Sequence, residues 1–132
     1  MTDPLTHDEF SAWLDRYKKA WEERDPKLAT EIFTATATYR ETPFVAPLEG
    51  RQAIENYWRE AVSGQSDVHF SYEVLACAGT RGICHWRTTL ISVPAGDTVT
   101  LDGLFCCDFE APDQVQRLEE WWHVQAVPNV PA

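Results

Sequence analysis

Residues 83–110 read ICHWRTTLISVPAGDTVTLDGLFCCDFE, and this stretch decides the fold class. Two runs that alternate between apolar and polar residues, Ile83–Val93 and Thr98–Glu110, lie on either side of a Pro-Ala-Gly-Asp turn. Alternation with a period of two is typical of half-buried strands, and so short a turn favours antiparallel neighbours. We therefore predict two adjacent antiparallel strands here, with one face against a core.

Further strands are predicted on both sides of this pair. Residues 68–76 alternate in the same way and are separated from the pair by a turn at residues 79–82. Residues 114–124 form a fourth run after a turn at residues 111–113. The second half of the chain is therefore predicted to be an antiparallel meander.

The first half of the chain carries helical patterns. Thr6 to Glu9 fits a capping box, after which apolar residues recur in steps of three and four. Asp25 followed by Pro26 indicates the start of a short second helix. The predicted buried residues are Phe10, Trp13, Leu14, Tyr17 and Trp21 in the first helix, and Leu28, Ala29, Ile32 and Phe33 in the second.

A short strand and a third helix complete this half. The strand is predicted from about Ala37 to Glu41, because Pro43 then ends regular structure. The third helix follows Gly50 and ends near Gly64, which suits a C-cap. Three helices followed by a run of strands predict an α+β fold in which the helices cover one face of a curved antiparallel sheet.

Composition restricts the partners. The 132 residues suit a single domain, predicted at 1–126, with 127–132 as a loose C-terminal tail. The 21 acidic and 11 basic residues give a net charge of -10, so we expect neither nucleic acid nor a membrane surface as partner. The first nine residues contain no apolar run, so a cytoplasmic location with reduced cysteines is expected.

The six tryptophans must line a core, a cavity or an interface. Strand parity places Trp86 on the inner face of its strand and His85 and Arg87 on the outer face. In the last strand both faces contain tryptophan. The inner set favoured by its apolar content is Gln116, Leu118, Glu120 and Trp122, and the outer set is then Val115, Arg117, Glu119, Trp121 and His123.

Three side chains are candidates for proton chemistry. If Glu120 lies inside, surrounding rings raise its pKa and make it an acid/base group; the alternative is that it reaches solvent or pairs with an arginine. Glu41 ends the first strand, as a base at the mouth of an enclosure or as a solvated loop charge. Tyr17 lies on a buried helical face, where its phenol would hydrogen-bond a substrate oxygen or a backbone carbonyl.

No metal or cofactor is expected, because the sequence contains no C-x-x-C, no His-x-x-x-His and no Gly-rich phosphate loop. The outer sheet face is a candidate interface. Trp121, His123, Arg87 and His85 would form a patch there, and we expect a homodimer through it.

Together, three stretches resemble the nuclear transport factor 2-like superfamily, and within it the SnoaL-like and ketosteroid isomerase-like branch. The stretches are Arg16-Tyr17 with Trp21 and Asp25; Ala37–Pro43 with Gly50–Ile54 and Tyr57-Trp58; and Glu119–Trp122 after Asp108-Phe109. The resemblance implies a cone-shaped, cystatin-like roll with a pocket between helices and sheet.

The resemblance also implies roles for individual residues. Glu41 matches the carboxylate base of ketosteroid isomerases, and Tyr17 matches their oxyanion-binding tyrosine. The position of their second oxyanion donor, a protonated aspartate, falls on Phe105. Because loss of one donor costs a few kcal/mol of transition-state stabilisation, steroid isomerisation itself is disfavoured.

The function predicted first is that of a cofactor-free enzyme, of isomerase, cyclase, dehydratase or hydrolase type, acting on a small apolar or aromatic molecule. Glu41 would be the base, Tyr17 a donor to oxyanion charge and Glu120 a second acid/base group. Predicted substrate-binding walls are Trp21, Phe33, Tyr39, Trp58, Trp86, Phe105 and Trp122. The alternatives are a binding or sensing module without a reaction, and an interaction domain whose pocket is filled by side chains.

Overall fold

The computed structural model describes residues 3–129. None of the helices in this range is long and apolar enough to cross a membrane. The elements in chain order are α1 (His7–Glu22), α2 (Pro26–Thr30), β1 (Phe33–Arg40), β2 (Leu48–Glu49), α3 (Arg51–Ser63), β3 (Gln65–Ala78), β4 (Arg81–Ser92), β5 (Asp97–Ala111) and β6 (Gln114–Val127).

The six strands form one curved sheet in the order β2-β1-β6-β5-β4-β3. The predicted α+β class is confirmed, and β3 to β6 form the expected antiparallel meander. The sheet is mixed, however, because β1 pairs in parallel with β6. A parallel pair requires a long connection, and here α3 and the four strands β2 to β5 lie between the two partners in the chain.

The second helix is shorter than predicted. It ends at Thr30, and Phe33 already pairs with Val115 as the first residue of β1. The prediction that Ile32 and Phe33 belong to a helix is therefore wrong, although both side chains are fully buried. The threonine-rich sequence that follows Phe33 favours a strand, because β-branched residues pack well on a pleated surface.

Helix α1 confirms the capping box. The Thr6 amide donates to Glu9 Oε1 at 2.9 Å, and the Glu9 amide donates to Thr6 Oγ1 at 3.1 Å. The apolar face of α1 is buried as predicted. The Trp13 indole also donates to the Ile32 carbonyl at 2.9 Å, which fixes α1 against the entry to β1.

Helix α3 is anchored to β1 at its first residues. Gly50 precedes it with a φ of 85°, a backbone conformation that favours glycine, and its amide donates to the Ala37 carbonyl at 2.8 Å. The Arg51 guanidinium donates to the Phe33 carbonyl at 2.9 and 2.6 Å. These contacts direct the buried face of α3, with Ile54, Trp58 and Val62, towards the sheet.

The end of the chain follows β6 further than predicted. Val127 is the last residue of that strand and pairs with Thr98, and the Asn129 amide donates to Asp97 Oδ1 at 3.1 Å. The remainder of the predicted tail, residues 130–132, lies outside the described residues. Cys77, Cys84, Cys106 and Cys107 are all free thiols.

Strands β5 and β6 approach each other closely at Gly103, which pairs with Trp122. A Cβ atom on Gly103 would lie 2.8 Å from Trp122 Cβ and closer still to the Trp121 carbonyl oxygen. Such distances are too short for van der Waals contact, so a side chain there requires the backbone of β6 to move.

We expect Gly103→Ala to lower the free energy of unfolding by about 1–3 kcal/mol, because the substitution overpacks a backbone contact. Gly64→Ala is the matched control, since a Cβ there meets only the Val93 carbonyl at 4.0 Å. Urea denaturation measures both. Equal stability of the two variants would contradict the close approach of β5 and β6 at Gly103.

Candidate functional site

A cavity of about 600 Å³ opens between α3 and the inner face of β4, β5 and β6. Apolar side chains form most of its wall. Tyr39 and Glu41 lie where β1 ends, whereas Glu60, Gln65 and Ser92 lie near the end of α3, the start of β3 and the end of β4. The lining consists of Trp21, Tyr39, Glu41, Tyr57, Trp58, Glu60, Ala61, Val62, Gly64, Gln65, Trp86, Leu90, Ser92, Val99, Leu101, Glu120, Trp122 and Val124.

Glu120 is the buried carboxyl group of this cavity. The structure places Leu118, Glu120 and Trp122 on the inner face of β6, and Glu120 is only 6% exposed. Val115, predicted to face outward, is instead fully buried in the core, because the pairing of β5 with β6 shifts register beside it. It does not pair with an arginine: Arg40 and Arg117 both contact Glu119, on the other face of the strand. Glu120 therefore faces the cavity without a basic side chain among the described lining residues.

Burial raises the pKa of the Glu120 carboxyl well above its ordinary value of 4.5. The negative charge of Glu41 raises this pKa further, and the hydrogen bond from Tyr39 opposes the rise. Desolvation is the largest of these effects, because the ionised form loses its hydration among aromatic rings. Glu120 therefore holds a proton that an exposed glutamate would release.

Two phenols continue inward from Glu120 as a hydrogen-bonded chain. Tyr39 donates to Glu120 Oε1 at 3.4 Å, and the Tyr17 and Tyr39 hydroxyls lie 3.0 Å apart. Burial, followed by the charge of Glu120, raises the pKa of both phenols well above 10. Both remain neutral, and with Tyr39 donating to Glu120, Tyr17 is the donor to Tyr39.

Glu41 immediately follows β1 and lines the cavity from its rim. Its side chain is half-buried. The Trp122 indole donates to the backbone carbonyl of Glu41 at 3.0 Å, which holds the start of the following loop against β6. The Glu41 side chain is thus partly accessible to water, whereas the Glu120 side chain is buried.

Tyr57 is a polar cavity residue that the sequence analysis did not include among the candidates. Burial raises its pKa, negative charge on Glu120 or Glu41 and the hydrogen bond to Glu41 raise it further, and its phenol therefore stays protonated. Its position on the buried face of α3, one residue before Trp58, was the available signal. Helical periodicity shows that such a residue is buried but not what its hydroxyl meets.

The predicted wall residues divide into two groups. Trp21, Tyr39, Trp58, Trp86 and Trp122 line the cavity, whereas Phe33 and Phe105 do not. Tyr17, predicted as a catalytic donor, is also absent from the lining.

The second group belongs to the packed core. Phe105 is fully buried, with its ring centroid 5.1 Å from that of Trp86 and 5.0 Å from that of Tyr17. Phe33 packs edge-on against Trp13 at 5.8 Å, far along β1 from Glu41. Tyr17 lies behind Tyr39, which separates it from Glu120.

The outer sheet face carries a separate polar network. Asp102 accepts from Arg87 Nε at 2.9 Å and lies 2.8 Å from His85 Nε2. The hydrogen bonds from His85 and then Arg87 lower the pKa of Asp102. These groups face away from the cavity, as parity predicted. Within residues 3–129, no cluster of three His, Cys, Asp or Glu side chains is arranged to hold a metal ion.

A family model described as the SnoaL-like domain matches residues 14–117, from the middle of α1 into β6. No curated protein matches the sequence significantly.

Solved structures share the fold. A "Putative Isomerase" from Bacillus subtilis has a TM-score of 0.76 at 16% identity, covering 88% of this chain and 87% of that one. A hypothetical protein with a ketosteroid isomerase-like fold from Catenulispora acidiphila, in complex with trimethylamine, has a TM-score of 0.73 at 14% identity, with 83% of each chain covered.

A third structure is that of the epoxide hydrolase/cyclase-like enzyme SalBIII, described for its role in pyran ring formation in polyether salinomycin. It has a TM-score of 0.76 at 16% identity, covering 89% of this chain and 95% of that one. At these identities the three structures establish a common fold and leave the reaction open.

The raised pKa of Glu120 predicts how stability depends on pH. Between pH 4.5, where the unfolded carboxyl titrates, and the higher folded pKa, the folded state binds the extra proton. Unfolding free energy contributed by this group therefore falls as pH rises, by at most about 1.4 kcal/mol per pH unit. Glu120→Gln should remove this loss, so the variant gains stability relative to the wild type as pH rises above 4.5.

Urea denaturation of both proteins at several pH values measures the difference. Glu110→Gln is the control, because Glu110 is exposed on β5 and its replacement changes the net charge equally. A stability difference for Glu120→Gln that stays constant with pH would contradict a raised pKa.

Proposed function

Because the chain belongs to the SnoaL-like domain family, we propose that it is a cofactor-free enzyme performing acid/base chemistry on a small, largely apolar molecule. The observation that carries this proposal is the pair Glu41 and Glu120 on one ring-lined cavity. One carboxyl is half-buried and reaches the rim, and the other is buried with a raised pKa. Two carboxyls in such different environments suit a base and an acid respectively.

In the proposed reaction Glu41 takes a proton from a carbon next to a substrate carbonyl. The C–H electron pair moves into the new carbon–carbon double bond, and Glu120 gives its proton to the carbonyl oxygen, which yields an enol. In a substrate with a β,γ carbon–carbon double bond the enol is a dienol. Return of the proton from Glu41 to the γ carbon shifts the double bond into conjugation with the carbonyl, Glu120 recovers its own proton from the enol oxygen, and the isomerisation is complete. Loss of a leaving group, or attack by the activated carbon within the substrate, gives a lyase or a cyclase instead.

The phenols assist this pair in different ways. Tyr39 holds Glu120 through its hydrogen bond, and Tyr17 acts through Tyr39 as a positioning residue instead of touching the substrate. Tyr57 lines the cavity and keeps its proton. It therefore supplies a second donor for developing oxyanion charge, where Phe105 supplies none.

The structural neighbours agree with this class of reaction. One carries the description "Putative Isomerase", and another is an epoxide hydrolase/cyclase-like enzyme. Their likeness is one of fold, so the proposal rests on the carboxylates of this chain.

A second candidate function is ligand binding without a reaction. Two observations favour it: Phe105 occupies the position where the resemblance places an oxyanion donor, and the ketosteroid isomerase-like neighbour from Catenulispora acidiphila was solved with bound trimethylamine. A sensing module would need the same cavity but no proton transfer.

A base probe distinguishes the two functions. We expect the protein to convert 5-nitrobenzisoxazole to 2-cyano-4-nitrophenolate, in which a base removes the C–H proton as the N–O bond breaks. Glu41→Gln should lower kcat/KM by about 100-fold or more, because general-base catalysis typically contributes 10²–10⁴. The absorbance of the phenolate gives the rate.

Glu110→Gln is again the control and should leave the rate unchanged, since it lies outside the cavity lining. Full activity of Glu41→Gln would refute the assignment of Glu41 as base. Absence of turnover in the wild type would favour the binding function.

We also propose that two copies of the chain pair through the outer sheet face. Trp121 is 48% exposed there, and its cross-strand partner Leu104 is 39% exposed. An exposed tryptophan beside an exposed leucine is typical of a self-association surface.

Sedimentation velocity should therefore show a dimer at about 10 μM, and Trp121→Asp should convert it to a monomer by placing an unpaired charge in the interface. Phe44→Asp is the control, since Phe44 is 98% exposed in the loop after β1. A monomeric wild type, or equal effects of both substitutions, would contradict the interface.

A further inference from the structure

We propose that the ligand of the cavity is an organic cation, in which a substituted ammonium group is attached to a small apolar body. This inference rests on the proposed function of the same cavity and specifies the charge of its ligand. The first observation is the sign of the lining charges. Glu41 and Glu60 line the cavity together with the protonated Glu120, and no lysine, arginine or histidine is among its described lining residues.

The arginines near the cavity contact other protein groups and do not line the cavity. Arg24 donates to the Gln65 backbone carbonyl at 2.9 Å without lining the cavity itself. Arg40, which precedes Glu41, pairs with Glu119 at 3.3 Å on the other face of the sheet. Arg59 pairs with Glu55 at 3.3 Å. Glu41 and Glu60 therefore have no cationic partner among the described residues that line the cavity.

The second observation concerns the four indole rings of the wall. Trp21 and Trp122 donate their N–H groups to protein acceptors, Gln65 Oε1 at 2.8 Å and the Glu41 carbonyl at 3.0 Å. The N–H groups of Trp58 and Trp86 are buried without a hydrogen-bond partner among the described residues. All four indoles contribute to the cavity wall, and tryptophan is the aromatic residue that best attracts a cation.

These two observations distinguish between an anion, a neutral apolar molecule and an organic cation as the ligand of the cavity. An anion would meet the carboxylates and would find few donors, chiefly Tyr39, Tyr57, Gln65 and Ser92. A neutral apolar molecule would displace water from Glu41 and leave its carboxylate without a partner, which is unfavourable. A cation with apolar substituents pairs with the carboxylate and contacts the rings at the same time.

Three probes of nearly identical shape test the charge preference. Choline carries a trimethylammonium group, 3,3-dimethylbutan-1-ol replaces its nitrogen by carbon, and 3,3-dimethylbutanoate is a corresponding anion. We expect choline to bind at least about tenfold more tightly than the alcohol, and the anion not to saturate. Tryptophan fluorescence and ligand-observed NMR measure the affinities of the intact protein.

Two variants, each lacking one negative charge, test whether Glu41 is responsible for the preference for a cation. Glu41→Gln should weaken choline binding at least about fivefold and leave binding of the alcohol unchanged, because only the cation uses the carboxylate. Glu110→Gln removes the same charge on the far part of β5 and should change neither affinity.

Equal or tighter binding of the alcohol would overturn the inference, as would an equal loss of choline affinity in both variants. Failure of all three probes to saturate would overturn it as well. None of these outcomes decides the acid/base proposal, which depends on turnover of the benzisoxazole probe and its loss in Glu41→Gln. The two proposals can therefore fail separately.

Discussion

Burial of the Glu120 carboxyl group is the constraint on which the rest of the site depends. Its neighbours on the inner face of the sheet are aromatic or aliphatic, and only the phenol of Tyr39 hydrogen-bonds it. An ionised carboxylate in such surroundings is unfavourable, so the group keeps its proton. The aromatic shell thus gives this glutamate a higher pKa than an exposed one, so that it carries a proton to donate.

The parallel pairing of β1 with β6 brings the other polar groups to this acid. Tyr39 pairs with Leu118 and Arg40 with Glu119, so the next residue of the chain, Glu41, comes alongside Glu120. Alternation then turns Tyr39, Glu41 and Glu120 to the cavity and Arg40 and Glu119 to the opposite face. A single strand register therefore sets the distance between the two proposed proton-transfer groups and keeps arginines away from both.

Local patterns were sufficient to predict much of this arrangement. Alternation in β4 and β5 separated Trp86 from His85 and Arg87, and the capping box located the start of α1. The parallel β1–β6 pair has no local signal, because its partners are about eighty residues apart. For the same reason the sequence could not show that Tyr39, and not Tyr17, meets the carboxyl group. Periodicity likewise indicated that Phe105 is buried but did not distinguish the packed core from a cavity wall.

Whether burial keeps Glu120 protonated can be measured by titrating its carboxyl group in the folded protein. A ¹³C NMR titration with labelled glutamate, in which Glu120→Gln identifies the resonance, follows the carboxyl carbon as pH changes. We expect this carbon to keep the chemical shift of a neutral acid at a pH where solvent-exposed glutamates are already ionised, because burial raises the Glu120 pKa. A Glu120 resonance that titrates together with the exposed glutamates would show that its pKa is not raised.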